Sequence, residues 1–290
     1  MIAPSSLTRR AALASAALGL FPRAAWAADA TAQFKAIETR LRGRLGVAAL
    51  DTGTGARLGY RADERFAMCS TFKLLLAAAI LARVDAGKLS LQQRVPFTKA
   101  DLLGVAPVSR AHVGEGGLSL ERLCAAAVSE SDNTAANLLL GLVGGPEGYT
   151  RYLRGLGDPI TRLDRRELAL NTNLPGDPRD TATPNATEGN LRRVLAGDAL
   201  SPASRERLTG WMIATQTGLA RLRAGLPRTW RVGDKTGTGG NGALNDIAVA
   251  WPPGRPPIVI AAYSSGSSAP AADREAGLAE VGRIVAKAFA

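Results

Sequence analysis

The 290-residue sequence is poorest in the side chains that hold transition metals: it has one histidine, His112, and two cysteines, Cys69 and Cys124. That donor set is too small for a usual zinc site and excludes a zinc hydrolase, so neither a metal nor another cofactor is expected. No interior apolar run is long enough to span a bilayer, and no stable membrane insertion is expected once the N-terminal segment is removed. Aromatic residues make up 5% of the chain and form no stripe interleaved with the basic residues. The net charge of +11 is scattered among acids, as in Arg61-Ala62-Asp63-Glu64-Arg65, so a nucleic-acid partner is not expected. Attraction of a small anionic substrate explains the excess as well. Repeats, heptads and low-complexity tracts are also missing. What remains, 46% hydrophobic and 21% charged, is an ordinary globular chain able to bury a large core.

Residues 1–27 read as a signal peptide. Arg9 and Arg10 precede the apolar run Ala11–Phe21, and Ala25-Trp26-Ala27 offers an A-x-A cleavage site. Thr8-Arg9-Arg10 suits twin-arginine export, with a general secretory signal as the alternative. The mature chain would start near Ala28, periplasmic or secreted, after losing the positive charges of Arg9, Arg10 and Arg23. An oxidising compartment permits a disulfide, which leaves the state of Cys69 and Cys124 open at this point.

Hydrophobic periodicity places an amphipathic helix over Thr31–Arg44 and a hairpin over Leu45–Leu50 and Arg57–Tyr60. Ser70–Val84 is apolar on several sides and predicts a buried central helix. Further helices are expected at Leu118–Ser129, Asn133–Leu142, Glu188–Leu195, Ser204–Ala214 and Ala272–Phe289. Strands are expected at Trp230–Lys235, Ala243–Trp251 and Pro257–Ser264. Thr161–Pro184 loses periodicity, and so long an irregular stretch is usually functional or disordered. The fold class is therefore α/β of the α+β type: an antiparallel sheet of about five strands built from both ends of the chain, flanked by helices, with an inserted helical lobe. The expected division is 28–62 with 215–290 as the α/β domain and 63–214 as the all-α domain, including an Ω-type loop at 162–180.

Four short motifs carry candidate chemistry, and each has a bland alternative. Ser70-Thr71-Phe72-Lys73 sets an amine one turn from a hydroxyl at a helix start, a way to activate serine without histidine; an N-cap serine and a solvated lysine would look the same. Ser131-Asp132-Asn133 could relay protons and clamp an amide, or simply cap the next helix. Lys235-Thr236-Gly237-Thr238, with Gly239 and Gly240 beyond, sits where the Trp230 strand is expected to end and could hold a substrate carboxylate. Glu167 and Asn171, inside the irregular stretch, could jointly hold a water; surface charge on a loose loop is the plain reading.

In this order, S-x-x-K, S-D-N, E-x-x-L-N and K-T-G resemble class A β-lactamases. The first, second and last are the known signature of that family and of penicillin-binding proteins, so the likeness is read from an established pattern. It extends to Thr161-Arg162-Leu163-Asp164-Arg165, Trp211-Met212 and Asn245-Asp246, over essentially the whole mature chain.

The resemblance implies that Ser70 attacks the lactam carbonyl, with the backbone N–H groups of Ser70 and Thr238 as oxyanion hole. Lys73 and Ser131 would pass protons, whether Lys73 or Glu167 takes the first being open. Glu167 with Asn171 would activate the deacylating water, and Asn133, Arg221, Lys235, Thr236 and Thr238 would bind substrate. Arg165 and Asp180 resemble the ion pair closing the loop, and a cis peptide is expected at Glu167-Leu168. The sole partner implied is a small β-lactam, a penicillin or cephalosporin, bound by a monomer. Three departures stand out. Val105 replaces a usual aromatic beside the cleft, Ala77 stands where some members have a cysteine partner for Cys124, and Gly239 stands where carbapenem-hydrolysing members pair a cysteine with Cys69. Two buried free thiols and weak or absent carbapenemase activity follow. The rivals are a penicillin-binding D,D-peptidase, which lacks the Glu167–Asn171 pair, and a β-lactam sensor that binds without turnover.

Overall fold

The computed structural model describes residues 21–290, with side chains from residue 28 onward. The expected signal peptide therefore lies mainly outside the described residues. Helix α1 (Phe21–Leu41) turns Phe34, Ile37 and Leu41 onto one buried face, as their helical spacing requires. Strands β1 (Arg44–Asp51) and β2 (Arg57–Tyr60) form the hairpin, its turn fastened by Asp51 Oδ1 accepting the Gly53 N–H at 2.9 Å. After β3 (Phe66–Ala67) and a 3-10 turn, Cys69–Thr71, comes α2 (Phe72–Asp85). Every residue of α2 from Phe72 to Leu81 is buried, so the all-round apolar run does form the central helix.

Around α2 lie β4 (Arg94–Val95), α3 (Pro107–Ala111), β5 (Leu118–Ser119), α4 (Leu120–Ser129), α5 (Asn133–Val143) and α6 (Gly145–Gly155). The irregular segment follows, holding a 3-10 turn at Ala169–Asn171 and ending in β6 (Thr181–Ala182). Next come α7 (Pro184–Leu195), α8 (Pro202–Ile213) and α9 (Leu222–Gly225), the first two opening on Thr183 and Ser201 caps with proline just inside. Strands β7 (Arg231–Thr238), β8 (Leu244–Trp251) and β9 (Ile258–Ser265) then lead into α10 (Ala271–Phe289).

The sheet is antiparallel and five-stranded, in the order β2-β1-β9-β8-β7, so strands from both ends of the chain meet at β1 and β9. Alternate residues face opposite layers. Leu45, Val47, Ile258 and Ile260 pack under α1 and α10, whereas Ile247, Val249, Val259 and Tyr263 pack against the layer built on α2. The helical insert also carries the two-stranded pairs β3–β6 and β4–β5. No helix among the described residues is long and apolar enough to cross a membrane.

Two features depart from the sequence reading. The strand expected to stop at Lys235 continues to Thr238, paired through Thr238 with Leu244, so the Lys-Thr-Gly motif lies within β7. Three helices, α3, α6 and the four-residue α9, were not indicated by periodicity. Helix α6 opens on Gly145-Pro146 and buries only Gly148, Tyr149 and Leu153, too sparse an apolar pattern to read.

Candidate active site

The cleft lies between the start of α2, the S-D-N turn, the irregular loop and β7. Ser70 sits in the turn before α2, where Cys69 takes a positive φ of 46°. Four hydrogen bonds hold that turn. Asn245 on β8 donates from Nδ2 to the carbonyls of Ala67 (2.9 Å) and Met68 (3.2 Å), Thr71 Oγ1 donates back to Met68 O at 2.8 Å, and the Met68 N–H donates to Asp180 O at 2.9 Å. The nucleophile is thus fixed to both the sheet and the loop.

Lys73, one turn along, is wholly buried. Its Nζ lies 3.0 Å from Glu167 Oε1 and donates to Ser131 O (2.8 Å), to Ser131 Oγ (3.4 Å) and to Asn133 Oδ1. Burial pushes the Lys73 ammonium below the usual lysine value, and Glu167 opposes the shift. Ser131 has φ +56°, which turns its hydroxyl into the cleft region between the two lysines. The capping alternative holds too: buried Asp132 caps α5 by accepting from Ala135 N–H at 2.9 Å, and it takes both the N–H (2.8 Å) and Oγ (2.9 Å) of Ser109. Cap and site are one structure.

Glu167 is carried inward by the loop. Its Oε1 accepts from Ser70 Oγ at 3.5 Å and its Oε2 from Asn171 Nδ2 at 2.6 Å. The peptide Glu167–Leu168 is cis, as the resemblance implied. Asn137 on α5 clasps the backbone of Glu167 from both sides, donating to its carbonyl at 2.9 Å and accepting its N–H at 3.1 Å. The loop base is closed by Arg165 Nε on Asp180 Oδ2 at 2.5 Å, while Asp180 Oδ1 accepts the N–H groups of Asp164 and Arg165.

Strand β7 forms the opposite wall. Lys235 is wholly buried and donates to Ser131 Oγ (3.1 Å) and Thr236 O (3.0 Å). Burial first, and repulsion from Lys73 second, push it down to about 7. Thr236 Oγ1 lies 2.7 Å from Thr217 Oγ1. Arg221 is buried behind the strand: Nη2 donates to Thr238 Oγ1 (3.0 Å) and Nη1 to the carbonyls of Gly237 (3.2 Å) and Asn245 (2.8 Å). It reaches the cleft through Thr238. Val105 is 60% exposed, and its carbonyl accepts the Asn133 N–H at 2.8 Å.

Every residue that the sequence nominated thus lies on this one cleft or directly behind its wall. The arrangement offers a hydroxyl nucleophile, a buried amine–carboxylate pair beside it, a hydroxyl bridging two ammonium groups, and a cationic strand for an anion. Comparison with known proteins decides which chemistry this is. A model of the β-lactamase enzyme family matches residues 29–289. β-Lactamase L2 of Stenotrophomonas maltophilia is 50% identical over 259 residues, 89% of this chain and 85% of that protein. β-Lactamase CTX-M-8 of Citrobacter amalonaticus is 45% identical over 272 residues, 94% and 93% of the two chains. The solved structure of the last common ancestor of Gram-negative class A β-lactamases superimposes with a TM-score of 0.89 at 58% identity, covering 90% of this chain and 99% of that one.

The chain belongs to the class A β-lactamase family. As a β-lactamase it is a hydrolase of β-lactams, with the mixed fold of a five-stranded sheet and flanking helices. Both cysteines of this β-lactamase are free and buried. Burial pushes the Cys69 thiol up to about 12, and Cys124 is raised for the same reason. Cys69 faces Gly239: a Cβ placed on that glycine would lie 2.6 Å from Cys69 Sγ. Residues that sequence reasoning missed are Asn137 and Thr217; Asn245 belonged to the resemblance, but its hold on the Ala67 and Met68 carbonyls was not foreseen. A lone asparagine in a helix or a threonine in a loop carries no spacing signal, so only the folded chain reveals them.

Proposed function

We propose that this β-lactamase opens penicillins and/or cephalosporins through an acyl-enzyme on Ser70 that water, activated by Glu167, then hydrolyses. The supporting observation is the convergence of Ser70 Oγ, Lys73 Nζ and Asn171 Nδ2 on one carboxylate, at 3.5, 3.0 and 2.6 Å. Ser70 Oγ attacks the lactam carbonyl and gives its proton to the Lys73–Glu167 pair, whose Nζ and Oε1 lie 3.0 Å apart. The backbone N–H groups of Ser70 and Thr238 stabilise the oxyanion. On collapse the C–N bond breaks, and Ser131, hydrogen-bonded to both lysines, delivers its proton to the leaving nitrogen and takes back through Lys73 the one that Ser70 released, which leaves Glu167 a free carboxylate. Glu167 then takes a proton from water held with Asn171, hydroxide adds to the ester, and Ser70 leaves reprotonated. Lys235, Thr236 and Thr238 bind the substrate carboxylate, with Arg221 supporting Thr238, and Asn133 holds Lys73 and the substrate amide side.

The protein acts as an exported monomer in the periplasm or outside the cell, without metal or nucleic acid, and confers resistance to β-lactams. We read 28–62 with 215–290 and 63–214 as its two lobes, the reaction taking place between them. The test is residues 28–290 against a chromogenic cephalosporin, wild type beside Glu167→Ala. Sustained turnover in the first and a stoichiometric burst in the second are expected. A burst in both would instead assign a sensor or a D,D-peptidase.

A further inference from the structure

The loop that carries Glu167 and Asn171 has two ends to secure. Its base is closed by the Arg165–Asp180 pair and the β3–β6 pairing. The other side rests on the β7–β8 turn. Leu174 is 54% exposed and Thr172 is exposed. Where the turn begins it offers glycine backbone: a Cβ on Gly239 would lie 2.7 Å from Asn171 O, and one on Gly240 would lie 2.7 Å from Thr172 O. Bare backbone lies on bare backbone, so hydrogen bonds must set the spacing.

Asn173 supplies them. Its two Nδ2 hydrogens are shared among Gly240 O (3.1 Å), Asn241 O (3.0 Å) and Ser265 Oγ at the end of β9 (3.0 Å). Its Oδ1 accepts from Ser265 Oγ at 3.1 Å, and its own carbonyl accepts from Asn241 Nδ2 at 3.3 Å. Asn173 and Asn241 both take left-handed φ, 50° and 45°, a conformation that asparagine tolerates better than branched residues do. Next to this clasp the Gly240 N–H donates to Asn171 O at 2.8 Å, and Asn171 in turn holds Glu167 Oε2. A short covalent and hydrogen-bonded path therefore runs from Asn173 to the carboxylate.

We propose that Asn173 is a positioning residue for hydrolysis: it latches the loop to the β7–β8 turn and thereby holds Asn171 and Glu167 where they can drive water onto the acylated Ser70. The proposal rests on the reading of Glu167 as the deacylating base. Acylation draws on Ser70, Lys73 and Ser131, anchored by α2, α5 and β8, and on Glu167 only through its 3.0 Å contact with Lys73, whereas deacylation needs Glu167 and Asn171 aligned together on a water, so loosening the latch acts mainly on the second step.

The experiment measures acylation and deacylation separately with a penicillin, by rapid quench and intact-protein mass spectrometry. The variants are Asn173→Gly, Asn173→Asp and Asn241→Gly, with Glu167→Ala in parallel. Asn173→Gly keeps the left-handed backbone and removes the amide, whereas Asn173→Asp keeps the shape and loses every Nδ2 donation, so one can be read if the other folds poorly. Both should slow deacylation about tenfold, acylation staying within about twofold, since small misplacements of a catalytic group are expensive in rate. Acyl-Ser70 should accumulate during steady state, a signature that loss of folded protein alone would not give. Asn241→Gly, which removes only the 3.3 Å return bond, should have a smaller effect. Equal slowing of both steps, or no change in either, overturns the latch. If Glu167→Ala traps the acyl-enzyme while the Asn173 variants do not, the latch alone falls; if Glu167→Ala turns over freely, the reading of the base falls with it.

Discussion

Lys73 and Lys235 are both wholly buried and both reach the Ser131 hydroxyl, at 3.4 and 3.1 Å, yet only Lys73 has a carboxylate in contact. Among the described residues no acid lies within ion-pair distance of Lys235; its other partner is the carbonyl of Thr236. Asp234 and Asp246 act on it only from further off. Burying an ammonium is costly unless a counter-charge is present. The Lys73 side of the cleft is internally neutralised and suited to moving protons. The Lys235 side keeps an unbalanced positive site that an incoming carboxylate completes. One lysine is matched by the protein, the other by the substrate.

The comparison breaks most severely at Glu167. Glu167→Gln keeps the shape but removes the counter-charge of Lys73 and the base, and deacylation should fall about a thousandfold, in the usual range for general-base loss. Mass spectrometry of penicillin-treated variant should show nearly complete acylation. Next comes Lys235→Ala, which should lower kcat/KM about tenfold to a hundredfold through KM, as charge-assisted hydrogen bonds are lost. Methyl esters of the same substrates, lacking the carboxylate, should be nearly insensitive to the change; equal loss with acid and ester would remove the contrast.

A smaller effect follows from pH. With Lys235 pushed down to about 7, kcat/KM should decline as pH rises through that value and the free enzyme loses its anchor charge. Lys235→Arg should carry the decline to higher pH, since guanidinium stays charged. The same displacement makes Lys235 favour the folded state more as pH rises from about 7 towards the ordinary lysine value, because there the unfolded chain keeps a proton that the folded one has released. The smallest effect is expected of the thiols. With Cys69 pushed up to about 12 and both cysteines buried, neither should react with a thiol reagent in the native protein, and both should titrate after unfolding without reductant.

Much of this contrast could be read before folding. Lys73 and Lys235 were recognisable from their motifs, and the Phe72–Leu81 run, apolar apart from Lys73, placed the central helix that carries the first. The four-motif resemblance joined segments far apart in sequence, which periodicity cannot do. What stayed hidden was tertiary. The extension of β7 to Thr238 depends on pairing with Leu244, not on the glycine-rich local sequence. Asn137 reads as an unremarkable helix residue until its amide meets the Glu167 backbone. Arg221 was legible as a cation for the substrate, but its seat behind the strand, acting through Thr238, was not.

The amide of Asn245 binds a strand of the sheet to the two carbonyls just before the turn that carries Ser70. Through that bridge the nucleophile belongs mechanically to the sheet as much as to its own helix. The helical layer cannot drift away on warming and leave an intact sheet with a displaced serine. Heat inactivation and the loss of sheet structure should therefore follow a single transition, with no folded but silent enzyme between them.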